Sequence, residues 1–174
     1  MFPLYRFFLI MVLLTSAAHA GGKSKPLYIG FHSEADATDN PKMIKQEVID
    51  GEVYAFHISP DIVTRHFSAF HTFYADDGSM GAALKLNEAG LQAYQVMISM
   101  VRGKLTRVIV NGRPVDIQRI TAPKRFDGYM IIWKGLSEED VKLMAKKMKR
   151  LDSPPPSIDY TEPPVVDYTD PSGN

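Results

Sequence analysis

A chain of 174 residues carries 20 basic and 20 acidic side chains, 12 prolines and no cysteine. Its length suits one domain with a real core. The missing cysteine excludes a disulfide-stapled scaffold, a Cys-tethered lipoprotein, a thiol nucleophile and a cysteine-built zinc site.

Residues 1–20 read as an export signal. Arg6 precedes a mostly apolar, uncharged run, Phe7 to Ala18, and Ala18-His19-Ala20 supplies a small-x-small cleavage site. A spanning helix needs about 20 apolar residues, so this run is too short to anchor the chain, and no later stretch is apolar enough to span. The mature chain is expected to start at Gly21 and to be exported without stable membrane insertion. With neither cysteine nor an N-x-[ST] acceptor, its expected location is a bacterial periplasm or the extracellular space.

The folded region follows, over residues 21–151. LYIGFH (27–32) reads as a strand and SEADATDNPK as a loop. VYAFHI (53–58) is a second strand, leading into SPDIVTRHF, where Ser59 as cap, Pro60 at the first position and Asp61 in the first turn predict a helix. AFHTFYA and MGAALKL flank Asp77-Gly78, a hairpin signal. Asn87 then caps a helix over 88–101, apolar at Leu91, Tyr94, Met97, Ile98 and Val101, with the Leu91/Tyr94/Ile98 stripe expected in the core and Gly103 as its stop. LTRVIV and VDIQRI form a hairpin through Asn111-Gly112, and GYMIIW (128–133) is another strand. Ser137, with Asp140 as a partial capping box, opens a final helix whose stripe is Val141, Met144, Ala145, Met148 and Leu151. The order β-β-α-β-β-α-β-β-β-α predicts an α+β fold, mainly antiparallel, with helices on one face in a ferredoxin-like layout.

Residues 152–174 differ in kind. They hold six of the twelve prolines and five acids against no Lys or Arg, a charge of −5, whereas residues 21–151 keep 19 basic and 15 acidic side chains, a net of +4. The segment repeats itself loosely as IDYTEPP and VDYTDPS. Such composition predicts a disordered acidic tail, solvated rather than docked on the basic domain.

Signals for chemistry are sparse. His32, His57, His66 and His71 remain after signal removal, and His32-Ser33-Glu34 places a histidine and a carboxylate two apart, on one face of a strand. A zinc site needs three or four convergent ligands, and no such cluster stands out, so neither metal nor cofactor is expected. There is no G-x-S-x-G or H-E-x-x-H, and Asp76-Asp77-Gly78 lacks the later ligands of a calcium loop. Arg102, Lys104, Arg107, Arg113, Arg119, Lys124 and Arg125 make the middle of the chain basic. Export and strand alternation predict a solvated face there rather than nucleic-acid binding.

Taken in order, LKLNEAGLQAYQ, RGKLTRVIVNGRPV, DGYMIIWKGL and SEEDVKLMAKKM, with VYAFHISPDIVTRHFSAF upstream, resemble the head region of the first periplasmic domain of SecD and SecDF, over roughly 27–151. Those proteins are membrane-embedded accessory subunits of the protein-export translocase. The resemblance implies a stand-alone head-like domain with no enzyme activity that contacts polypeptide. The transmembrane helices that couple proton flow to export in that family have no counterpart here after the signal.

The expected function is a non-enzymatic envelope module, with Arg107, Arg113 and Arg119 as the candidate partner contact and no catalytic residue. Two alternatives stand beside it. One is a small exported hydrolase pairing Glu34 with His32 or His57; the other is a structural domain whose acidic tail recruits a partner.

Overall fold

A computed structural model describes residues 26–49, 51–101, 103–119 and 127–155. The expected signal segment, Arg102, Lys124, Arg125 and all of the tail after Pro155 lie outside these residues.

Among the described residues, ten strands and two α-helices build the domain. The first sheet has the order β4-β1-β7-β8, from Ile62–Val63, Ile29–Ser33, Leu105–Val110 and Arg113–Arg119, all antiparallel. The second has the order β10-β5-β6-β9, from Lys149–Arg150, Phe67–Tyr74, Met80–Leu86 and Tyr129–Leu136, antiparallel except for the β10–β5 pair. Ile44–Ile49 (β2) and Glu52–His57 (β3) form a separate two-stranded hairpin. Glu88–Val101 is α1 and Glu138–Lys147 is α2. The α+β class and the antiparallel pairing are as expected, but the strands divide into two sheets and a ribbon, not one ferredoxin-like sheet.

Local chemistry sets the turns and caps. Asn111 and Gly112 both adopt positive φ, +52° and +82°, the mirror-image turn whose twist suits a two-residue hairpin. Asn87 Oδ1 accepts the Gly90 N–H at 2.9 Å and opens α1, while its Nδ2 donates to the Arg65 carbonyl at 2.7 Å. Ser137 and Asp140 complete a reciprocal capping box on α2.

Three expectations change. SPDIVTRHF contains no α-helix: Ile62 and Val63 pair with the β1 edge, and only Thr64–His66 makes a single 3-10 turn. Asp61 accepts the Ser33 N–H instead of capping a helix, and two β-branched residues beside an open edge favour the strand. The final helix stops at Lys147, because Met148 is extended and the next two residues pair in parallel with Ala69 and Phe70. Finally, Ile44–Ile49 is a strand where no element was expected.

The main core lies between the inner faces of the two sheets and the helices. Ile29, Phe31, Val108 and Val110 from the first sheet meet Phe70, Leu84 and Ile132 from the second, with Tyr94, Met97 and Met144 from the helices. The buried seam of α1 is Gly90, Tyr94, Met97 and Val101. Leu91 is corrected outward: it is 37% exposed, and Ile98 is only partly buried. Gly90 passes so close to the 3-10 turn that a Cβ would stand 2.3 Å from the His66 carbonyl oxygen. Side chains join the facing edges of β8 and β9, with the Trp133 N–H donating to Asp116 and Gln118 Nε2 donating to the Ile131 carbonyl, each at 2.8 Å.

Candidate functional site

The densest polar cluster sits where the β2–β3 hairpin covers the outer face of the first sheet. His57 ends β3, and its Nε2 lies 3.0 Å from the Asp39 carboxylate. A carboxylate only accepts, so Nε2 carries the proton, and in the neutral ring Nδ1 accepts from the Ser33 hydroxyl at 3.1 Å. Asp39 is held below the ordinary carboxylate value by the Asp36 backbone and by His57. His32, at the β1 register position beside Arg107, donates from Nδ1 to the His57 carbonyl at 2.9 Å and faces the Tyr28 hydroxyl with Nε2 at 3.3 Å. Burial and the neighbouring Arg107 cation push His32 below the usual histidine value, although the bond to the His57 carbonyl works against this.

Ser33, His57 and Asp39 therefore form a hydrogen-bonded serine–histidine–aspartate chain. Its polarity suits general-base catalysis, with the imidazole taking a hydroxyl proton and the carboxylate orienting the ring. Ser33 is only 1% exposed, however, so the chain fastens the hairpin to β1 in this structure. Glu34 is not in it. Its carboxylate accepts the Leu105 N–H at 2.9 Å, so Asp39 is the acid that pairs with histidine. The other histidines serve backbone: His66 Nδ1 accepts from the Val63 N–H, and His71 Nδ1 donates to the Leu151 carbonyl. No group of three or more His, Asp and Glu able to hold a metal occurs among the described residues.

The three arginines expected on one solvated hairpin face are split up. Arg107 is 2% exposed. Its guanidinium donates to Glu47 of β2 at 2.7 Å and lies 5.1 Å from the centre of the Phe56 ring of β3. The hairpin covers this face, so strand alternation alone placed Arg107 in the wrong environment. Arg113 is half exposed and anchored, donating to Asp140 and to the Gly135 carbonyl at 2.8 Å each. Burial raises the Asp140 carboxyl, but bonds from Ser137 and Asn111 and the Arg113 cation outweigh it and hold the group low. Arg119 is partly buried and donates to the Gly103 carbonyl.

The hairpin also carries exposed apolar side chains, as do β5 at Tyr74 and α1 at Val96 and Met100. Val48 and Val53 face each other across the ladder at 67% and 65% exposure, and Met43 and Ile58, at its other end, are also exposed.

The chain matches no protein-family model and no curated protein. It is similar to two solved structures of SecDF. One, of SecDF as a membrane component that enhances protein export, is 12% identical with a TM-score of 0.50, covering 86% of this chain and 71% of that one. The other, of SecDF in its super-membrane-facing form, is 13% identical with a TM-score of 0.48, covering 70% of this chain but 19% of that one. No helix among the described residues is long and apolar enough to cross a membrane. At these identities the likeness is one of architecture: the fold resembles that of the SecDF periplasmic region.

Proposed function

We propose that this chain is a non-enzymatic, extracytoplasmic binding module whose partners are polypeptides. The observation that carries this reading is the fold shared, at a TM-score of 0.50, with a membrane component that enhances protein export. A fold does not by itself transfer an activity, so the contact has to come from this chain's own surface. The β2–β3 hairpin offers one. At its turn end Val48 and Val53 put two facing apolar side chains in solvent, a mark of protein contact when apolar surface is clustered. The Arg107–Glu47 pair and the His57 bonds hold the arm that presents them. Of the three arginines, Arg113 keeps the most surface for a rim contact.

The test is a titration of the mature chain with a carboxymethylated, unfolded polypeptide. Val48→Lys with Val53→Asp, which sets opposite charges across the ladder, is expected to weaken binding by roughly tenfold or more, because burying a valine contributes about 1.5–3 kcal/mol. The melting temperature should hold, since both side chains are exposed. Equal affinity in the double variant would contradict the reading. Labelling of Ser33 by a fluorophosphonate, lost in Ser33→Ala, would support a hydrolase built on Ser33, His57 and Asp39 instead.

A further inference from the structure

β2 is an open edge. The Ile58 N–H donates to the Met43 carbonyl, so hydrogen-bonded pairs recur at every second step of the hairpin, at Lys45–Phe56, Glu47–Tyr54 and Ile49–Glu52. The alternate residues Ile44, Gln46 and Val48 turn their backbone groups away from β3. Ala55, opposite Gln46, has the same phase, since its carbonyl accepts the Ala35 N–H on the far side of β3. The Ile44 N–H is taken up by the Pro41 carbonyl in a 3-10 turn, which ends the edge there. The Ile44 carbonyl and both backbone groups of Gln46 and Val48 bond no other described residue. The ladder runs from Ile44 to Ile49 without a bulge or a proline, and Lys45, Gln46 and Val48 are exposed. Such an edge is a template for a further strand.

The edge is also self-complementary. Residues 44–48 read Ile-Lys-Gln-Glu-Val, with an apolar residue at each end, opposite charges inside them and Gln46 at the centre. We propose that two copies of this chain pair antiparallel through β2, about a two-fold axis at Gln46, joining their two-stranded hairpins into one continuous ribbon.

In this register Gln46 exchanges both backbone bonds with Gln46 of the second copy. The Val48 N–H donates to the Ile44 carbonyl of the second copy, and symmetry supplies the reverse bond. On one face Lys45 stands opposite Glu47 of the second copy. Glu47 Oε2 already accepts from Arg107, and a carboxylate can take a second donor. On the other face Ile44 stands opposite Val48 of the second copy, which has its own Val53 beside it. Sliding to the next register that keeps the backbone bonds sets Lys45 against Lys45 of the second copy, or Glu47 against its Glu47. Like charges directly opposite destabilise a pair, so charge selects the register as well as the partner. An edge lysine ordinarily keeps foreign strands off, but a second copy carries the matching acid in the matching place. The pairing uses the backbone edge of β2, whereas the polypeptide contact proposed above uses the Val48 and Val53 side chains. Either can hold without the other.

Sedimentation of the mature chain over a concentration series up to about 1 mM tests this pairing. The native chain should pass from monomer to dimer. Gln46→Pro should stay monomeric with its melting temperature nearly unchanged, because the N–H it removes faces outward and bonds nothing in β3. Lys45→Glu, which sets like charges opposite each other, should weaken the dimer roughly tenfold or more. The chain has no cysteine, so single-cysteine variants read the geometry directly. Under mild oxidation Gln46→Cys, on the axis, should form a disulfide-linked dimer, and Val53→Cys, one strand further out in each copy, should not. A native chain that stays monomeric would overturn the proposal. So would a dimer undiminished by Gln46→Pro or Lys45→Glu, or cross-linking at position 53 as ready as at position 46.

Discussion

Arg107 keeps a cation almost wholly out of water, and two contacts offset that cost: the bond to Glu47 and the face of Phe56. Its Nε–H is buried without a partner among the described residues, so those two contacts carry the compensation. Arg107→Ala removes a charge-assisted bond, a cation–π contact and buried stem packing together. We expect it to lower the unfolding free energy by roughly 2–4 kcal/mol in a urea melt. Arg113→Ala should cost under about 1 kcal/mol, because half of that side chain is in solvent and Ser137 and Asn111 still bond Asp140. Equal losses would mean that the hairpin does not hold Arg107 as described. Glu47, on the strand that sequence reading passed over, is what makes this arginine structural. Alternation along β7 was legible; what lies over β7 was not.

At the scale of elements, whatever chain neighbours decide was readable. Asn111-Gly112, Asp77-Gly78, the Asn87 cap and the Ser137–Asp140 box all act within four residues, and each turn or cap is where its residues imply. What long-range partners decide was not readable. Ile62–Val63 and Lys149–Arg150 are two-residue strands that exist because β1 and β5 offer edges, and no two-residue pattern announces that. For β2 there was a missed local signal, since Asp50-Gly51 between IKQEVI and EVYAFH is itself a hairpin dipeptide. The polar cluster stayed hidden for the same reason. Ser33 and His57 are 24 positions apart and meet only once the hairpin folds over β1. On α1, the apolar positions Tyr94, Met97 and Val101 do form the buried seam, while Leu91 and Ile98 at its margin lie further out. Met97→Ala, at a position 1% exposed, should cost roughly 2–5 kcal/mol, while Leu91→Ala should cost less than about 1 kcal/mol. Thermal or urea unfolding of the two variants checks this, and a larger loss at Leu91 would reverse the assigned face.

For the whole molecule, two sheets and two helices enclose the core, and a ribbon fastened by Arg107 and His57 carries exposed valines away from it. The resemblance to SecDF was legible because it rests on the order of strands, turns and caps. The surface proposed for partners was not, because it depends on which face the ribbon leaves in solvent. The most direct test of a polypeptide-binding module outside the cytoplasm is site-specific photo-crosslinking in living, exporting cells. A photoreactive residue would replace Val53 on the ribbon or Val96 on the exposed side of α1, each in the full chain. The account predicts adducts with exported polypeptides from position 53 and far fewer from position 96. Adducts only with cytoplasmic proteins, or none from position 53, would contradict it.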